Sequence, residues 1–150
     1  MSKICNFTKE DIEKKLLDKG VQPTLQRIAL CQYLLCNADH PTAEQVFNWA
    51  QENLHKISQA TVYNTLGTLT EVGLVRTFRF PHSDKVVYDC NTQDHFHFFD
   101  EKTGQLHDVD PSSVDVNFSL PNKYKINGFD LVFKGEVKQT TVGHRPTKKE

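Results

Sequence analysis

The chain has 150 residues, 25% charged and 37% hydrophobic, and 18 basic against 19 acidic side chains leave a net charge of −1. That length allows one domain or two small ones, and ten Phe, four Tyr and one Trp are enough for a core, which excludes wholesale disorder. No run approaches ~18 apolar residues and the charged start MSKICNFTKEDIEKK has no signal-peptide stretch, so a cytoplasmic protein without a membrane span is expected.

Charge is uneven along the chain. Residues 86–118 hold seven acids (Asp89, Asp94, Asp100, Glu101, Asp108, Asp110 and Asp115) against one base, Lys102, together with His95, His97 and His107. An acidic, histidine-rich segment is where a divalent cation settles. The cysteines, Cys5, Cys31, Cys36 and Cys90, form no C-x-x-C pair, so neither a disulfide framework nor a structural zinc is indicated and the thiols read as reduced.

Up to about Gly73 the chain reads as helices. The first runs from Thr8 to about Lys19, with Ile12, Leu16 and Leu17 on one face and Gly20 as its stop. The second starts at Pro23–Thr24, turns Ile28, Leu34 and Leu35 inward and ends before Asn37. The third opens on a Thr42/Gln45 capping box. The fourth runs from Ser58 to Gly73 on a stripe of Val62, Leu66 and Leu69.

The solvent side of this fourth helix is polar but uncharged: Gln59, Thr61, Asn64, Thr65 and Thr68, with Tyr63 beside them. Such groups suit base edges in a major groove. Leu74–Phe80, Pro81–Asp84 and Lys85–Asp89 then read as strand, turn and strand. Helices followed by a two-stranded wing describe a winged helix-turn-helix, with Arg76 and Arg79 on the wing and Lys14, Lys15, Lys19 and Arg27 as further phosphate contacts. A plain helical domain with a charged surface has the same pattern.

In His95-Phe96-His97-Phe98-Phe99 the two histidines share one face of a strand. A turn at Glu101–Gly104 brings the chain back through Gln105–Val109, pairing His97 with Asp108 and His95 with Asp110. Imidazoles and carboxylates without thiolate suit Fe(II), Mn(II) or Zn(II). An H-x-H pair is equally the reading of a surface strand or a buried hydrogen-bonded pair. Two imidazoles and a carboxylate also serve mononuclear Fe(II) enzymes, but the roughly 60 residues after the wing leave little room for a substrate barrel, so a non-enzyme is expected.

The segments HPTAEQVF (40–47), SQATVYNTLGTLTEVGLV (58–75), YDCNTQDHFHFF (88–99) and GQLHDV (104–109) resemble the ferric uptake regulator family, and the likeness runs from about Ile12 to Val137. Its nearest branches are the peroxide-responsive repressors and, for the C-terminal part, the rhizobial iron-response regulators. The resemblance implies an α+β homodimer that binds a pseudo-palindromic DNA operator. Its N-terminal winged-helix domain (1–84) is followed by a small α/β metal-binding and dimerisation domain (85–139), and a disordered tail is expected at 140–150.

It also implies a regulatory site of His40, Asp89, His95, His97 and Asp108 for Fe(II) or Mn(II), with zinc as a substitute in vitro. Aspartate at 108 resembles the peroxide-sensing branch, in which iron and peroxide oxidise a ligand histidine; His40 and His95 match the oxidised positions. DNA contacts fall on Lys15, Arg27, Gln59, Thr61, Tyr63, Asn64 and Arg76. Asp100, Thr103, Val137 and Thr140 stand where the family has the thiols of a structural zinc, so none is expected. Haem, through His95-x-His97, or a simple iron response is the alternative signal.

Overall fold

The computed structural model describes residues 6–80 and 83–139. Cys5, the turn residues Pro81 and His82, Thr140 and the expected tail lie outside them. The chain divides into two units after Gln93. The wing's second strand, on the far side of the expected boundary at 84/85, pairs with the first and so belongs to the N-terminal unit.

That unit opens with α1 (Lys9–Asp18), α2 (Leu25–Cys36), α3 (Ala43–Asn53) and α4 (Gln59–Glu71), each started by a hydroxyl cap. Thr8 Oγ1 accepts the Asp11 N–H at 3.1 Å while Asp11 Oδ2 accepts the Thr8 N–H at 2.9 Å, satisfying two otherwise unpaired donors. These Thr8 bonds hold the Asp11 carboxyl below its ordinary range. Thr42 and Gln45 repeat the box on α3. Thr24 caps α2, so Pro23 stands ahead of the helix rather than inside it. Gly73 (φ 78°) takes the left-handed conformation that stops α4.

The core gathers Ile12, Leu16, Leu30, Leu34, Val46, Ala50, Val62, Leu66, Leu69 and Val75. Each Leu, Ile or Val among them is worth ~1.5–3 kcal/mol when fully buried, Ala50 less. Two positions depart from the sequence reading. Leu17 is 56% exposed, because one residue beyond Leu16 turns it ~100° away from the core. Thr65 is buried, because it lies three residues after Val62 and four before Leu69, inside the apolar stripe. The expectation of reduced thiols fails at Cys36, which is disulfide-bonded; linear spacing says nothing of sulfurs that folding brings together.

The wing is β1 (Arg76–Arg79) paired antiparallel with β2 (Val86–Asp89). The Tyr88 N–H donates to the Pro41 carbonyl at 2.8 Å, tying the wing to the segment that enters α3.

The C-terminal unit is a three-stranded sheet in the order β4-β3-β5, from β3 (Phe96–Asp100), β4 (Leu106–Val109) and β5 (Val132–Gly135). β4 runs antiparallel to β3, and β5 runs parallel to it. Asp100 Oδ1 accepts the N–H groups of Lys102 and Thr103 at 2.9 and 3.3 Å, and Gly104 (φ 74°) completes the turn between β3 and β4. β5 is an edge strand of this sheet. Its neighbourhood is not covered on both faces: Phe129 is 49% and Phe133 38% exposed. Leu106 is the one buried apolar residue among the unit's described residues.

Candidate metal centre

Each unit carries part of the expected ligand set. In the N-terminal unit His40 has a positive φ of 43°, a conformation that histidine adopts more readily than most residues. Its Nδ1 meets Asp39 Oδ1 at 2.8 Å, and its Nε2 lies 3.4 Å from Asp89 Oδ2. Asp89, at the end of β2, has its other oxygen engaged: Oδ1 accepts the Asn91 N–H at 2.9 Å. Both side chains are more than nine-tenths buried.

In the C-terminal unit the ladder pairs His97 with Asp108. Phe98 faces His107, so alternation sends His107 to the opposite side. The expected pairing of His95 with Asp110 does not form. The ladder closes at Phe96 and Val109, and Asp110 Oδ1 instead accepts the Ser112 N–H at 2.8 Å, which holds its carboxyl below the ordinary range. His95 turns to Asp108.

The Nε2 atoms of His95 and His97 are 3.0 Å apart, and they lie 3.3 and 3.6 Å from Asp108 Oδ1. Bonds of ~2.1 Å would place neighbouring donors ~3.0 Å apart in an octahedron and ~3.4 Å in a tetrahedron. The three atoms are therefore spaced as one face of a coordination shell, and the His40–Asp89 pair, 3.4 Å apart, as one edge within its own unit. The donors are imidazole and carboxylate, which fit Fe(II), Mn(II) and Zn(II). They do not fit an axial pair on haem iron, whose nitrogens would stand on opposite faces of the macrocycle, about 4 Å apart.

Asp39 is the residue that sequence reasoning missed. A carboxylate accepts only, and at 2.8 Å against 3.4 Å for Asp89 on the other nitrogen, its contact favours the proton on Nδ1 of His40, the tautomer that leaves the Nε2 lone pair for a metal. The sole signal was its adjacency to a histidine in a short loop.

The residues expected at DNA are all in the N-terminal unit. Gln59, Tyr63 and Asn64 are exposed along α4, and Arg76 is exposed on β1. Thr61 is half-buried and its hydroxyl is 2.8 Å from that of Ser58, so it also serves the cap. Lys15 Nζ sits 4.7 Å from the Phe7 ring centre, and an Arg27 guanidinium nitrogen donates to the Gln22 carbonyl at 3.0 Å.

The ferric uptake regulator family matches residues 18–132. The peroxide-responsive repressor PerR of Staphylococcus epidermidis is 32% identical over 106 residues, covering 71% of this chain and 70% of that protein. Among solved structures, the Vibrio cholerae ferric uptake regulator aligns with a TM-score of 0.62 at 22% identity, over 83% of this chain and 98% of that one. The ferric uptake regulator from Pseudomonas aeruginosa, solved with manganese, gives 0.62 at 21% identity over 85% and 98%. At such identities the structures show a shared fold.

Proposed function

Since the chain belongs to the ferric uptake regulator family, we propose that it is a homodimeric, metal-dependent DNA-binding repressor that senses peroxide through oxidation of its own ligand histidines. Members of the family are transcriptional regulators rather than enzymes. The likeness to peroxide-responsive repressors supports the signal. The observation that carries the reading is the convergence of His95, His97 and Asp108, three donors within 3.6 Å of one another.

His40 and Asp89 from the N-terminal unit complete the set with His95, His97 and Asp108, giving one Fe(II) or Mn(II) site per subunit, which zinc also fits. Because the ligands come from both units, occupancy favours whichever arrangement lets them share one ion. The gain is limited to the ion's differential affinity for the two arrangements, ~1–3 kcal/mol. Bound iron supplies peroxide-dependent oxidation beside its ligands. The chain's part is to hold the rings of His40 and His95 next to it. An oxidised ring is a poorer ligand, so metal and DNA are released together.

On the DNA side, Gln59, Thr61, Tyr63 and Asn64 read base edges and Lys15, Arg27 and Arg76 hold phosphates. A two-fold dimer presenting two such helices fits a pseudo-palindrome. The test is DNA retention by the full chain with Fe(II), with Mn(II) and without metal, before and after peroxide, followed by mass spectrometry. The iron form is expected to lose DNA and gain one oxygen on a peptide holding His40 or His95, while the manganese form keeps both. Release with both histidines intact would sink the peroxide reading in favour of a plain iron response.

A further inference from the structure

We propose that a cavity in the N-terminal unit binds a small organic carboxylate with an apolar body, and that this ligand competes with DNA for Lys15. The binding stands on the cavity alone, whereas the competition rests on the reading of Lys15 as a phosphate contact given above.

The cavity has a volume of about 460 Å³, within the range of small-molecule sites. It opens between the last turn of α1, the end of α2, the turn after α4 and the segment that follows β2. Lys15 and Lys19 line its α1 side one helical turn apart, and no Asp or Glu lines it. Like charges at that spacing repel, and a recess of one sign concentrates ions of the other. Neither lysine is within ion-pair distance of a carboxylate among the described residues. Asp11, one turn back on α1, feels the Lys15 charge but spends its carboxylate on the Thr8 cap.

Lys15 is also held inward. It is half-buried, and its Nζ sits against the ring of Phe7, which itself lines the cavity. Its charge reaches the buried Cys31 thiol, where it opposes the upward push of burial.

The remaining wall sets the body that such an anion carries. Half-buried Leu35 and Leu74 join the Phe7 ring as apolar surface, and Asn91 and Thr92 add polar groups. An inorganic anion would leave the leucines and the ring unused, and a duplex phosphate is carried on a helix too wide to enter the recess. A carboxylate on a short apolar body uses both kinds of wall. Once bound, it takes the Lys15 charge from a DNA phosphate, so ligand and DNA weaken each other by the same factor.

The test adds phenylacetate to the full chain loaded with diamagnetic Zn(II) and follows amide signals by nuclear magnetic resonance. Saturable shifts at Gly73, Leu74, Asn91 and Thr92 are expected, with a Kd at or below ~1 mM. Phenylacetamide keeps the ring without the charge, and acetate keeps the charge without the ring; each should bind about tenfold more weakly. Lys19→Met, which retains the aliphatic stem, should weaken phenylacetate about fivefold while the other signals stay in place. In gel shift with Mn(II), saturating phenylacetate should weaken wild-type DNA binding about fivefold and leave the residual binding of Lys15→Met unaltered. No saturable shift, equal binding of either control, or a Lys19→Met chain that binds like wild type overturns the cavity. Binding that leaves DNA affinity unmoved, or that weakens Lys15→Met equally, overturns the competition. A chain that retains no DNA in any form strikes the repressor reading and the competition with it, while the cavity, read without DNA, stands or falls by its own signals.

Discussion

The Nδ1 of His40 lies 2.8 Å from Asp39 Oδ1, a contact that favours the tautomer with its lone pair on Nε2. Replacing Asp39 by Ala removes the orienting acceptor and frees the ring to change tautomer. Metal affinity is expected to fall ~10–100-fold with the thermal midpoint little changed, measured by Mn(II) titration with electron paramagnetic resonance. An unchanged affinity would remove Asp39 from the site.

Asp108→Ala and His97→Ala are each expected to abolish metal-dependent DNA binding while leaving the N-terminal helices folded, because neither side chain belongs to the helical core. His40→Ala should weaken activation and retain some metal, since four of the five proposed ligands remain. Gel shift across a metal titration separates the two patterns. If all three variants behaved alike, His40 would be no more dispensable than its partners.

On the DNA face the two kinds of contact predict different signatures. Arg76→Ala should weaken all sequences alike and lower the salt slope by about one. Asn64→Ala should cost ~1–3 kcal/mol at one base position and little elsewhere. An Arg76→Ala variant with altered sequence preference would mean that the wing reads bases.

Cys31 carries a pH prediction. Burial pushes its thiol from 9.0 up to about 11. The fold therefore favours the neutral thiol, and that contribution is fully present below about pH 9 and is lost as pH rises towards 11. Burial pushes the Tyr33 and Tyr88 hydroxyls up as well, adding to the same trend. Urea midpoints should fall between pH 9 and 11, with Cys31 contributing up to roughly 2–3 kcal/mol. Cys31→Ala, though less stable at pH 8, should lose less over that interval. Equal slopes for the two proteins would refute the assignment.

Asp100, Thr103 and Val137 cannot form a thiolate cage. Elemental analysis of protein purified without added metal should find no chelator-resistant zinc outside the His/Asp set.

The His97–Asp108 pairing was legible in the sequence because two short alternating stretches around a four-residue turn leave few registers. The helices were legible to within a residue or two from their hydroxyl caps and from Gly20 and Gly73. His95 was misassigned to Asp110 because nothing in a strand pattern says where a ladder stops. His40 and Asp89 entered only through resemblance, since spacing cannot join positions so far apart. Asp39 was invisible, because a contact to the preceding residue depends on a left-handed loop conformation that no periodicity encodes.

The turn between β3 and β4 holds none of the proposed metal or DNA contacts, yet it sets the register of the two strands that carry His97 and Asp108. Two amides on one carboxylate and a single left-handed glycine fix its length, and that length fixes which face Asp108 occupies. Inserting one residue there would rotate the whole return strand by a half period, carrying Asp108 away from His95 and His97 while leaving every ligand in the sequence. Such a protein would still bury its helical core and still present α4, but it would be deaf. Tolerance to insertions should therefore be lowest in this stretch of polar surface, a place where loops ordinarily accept them.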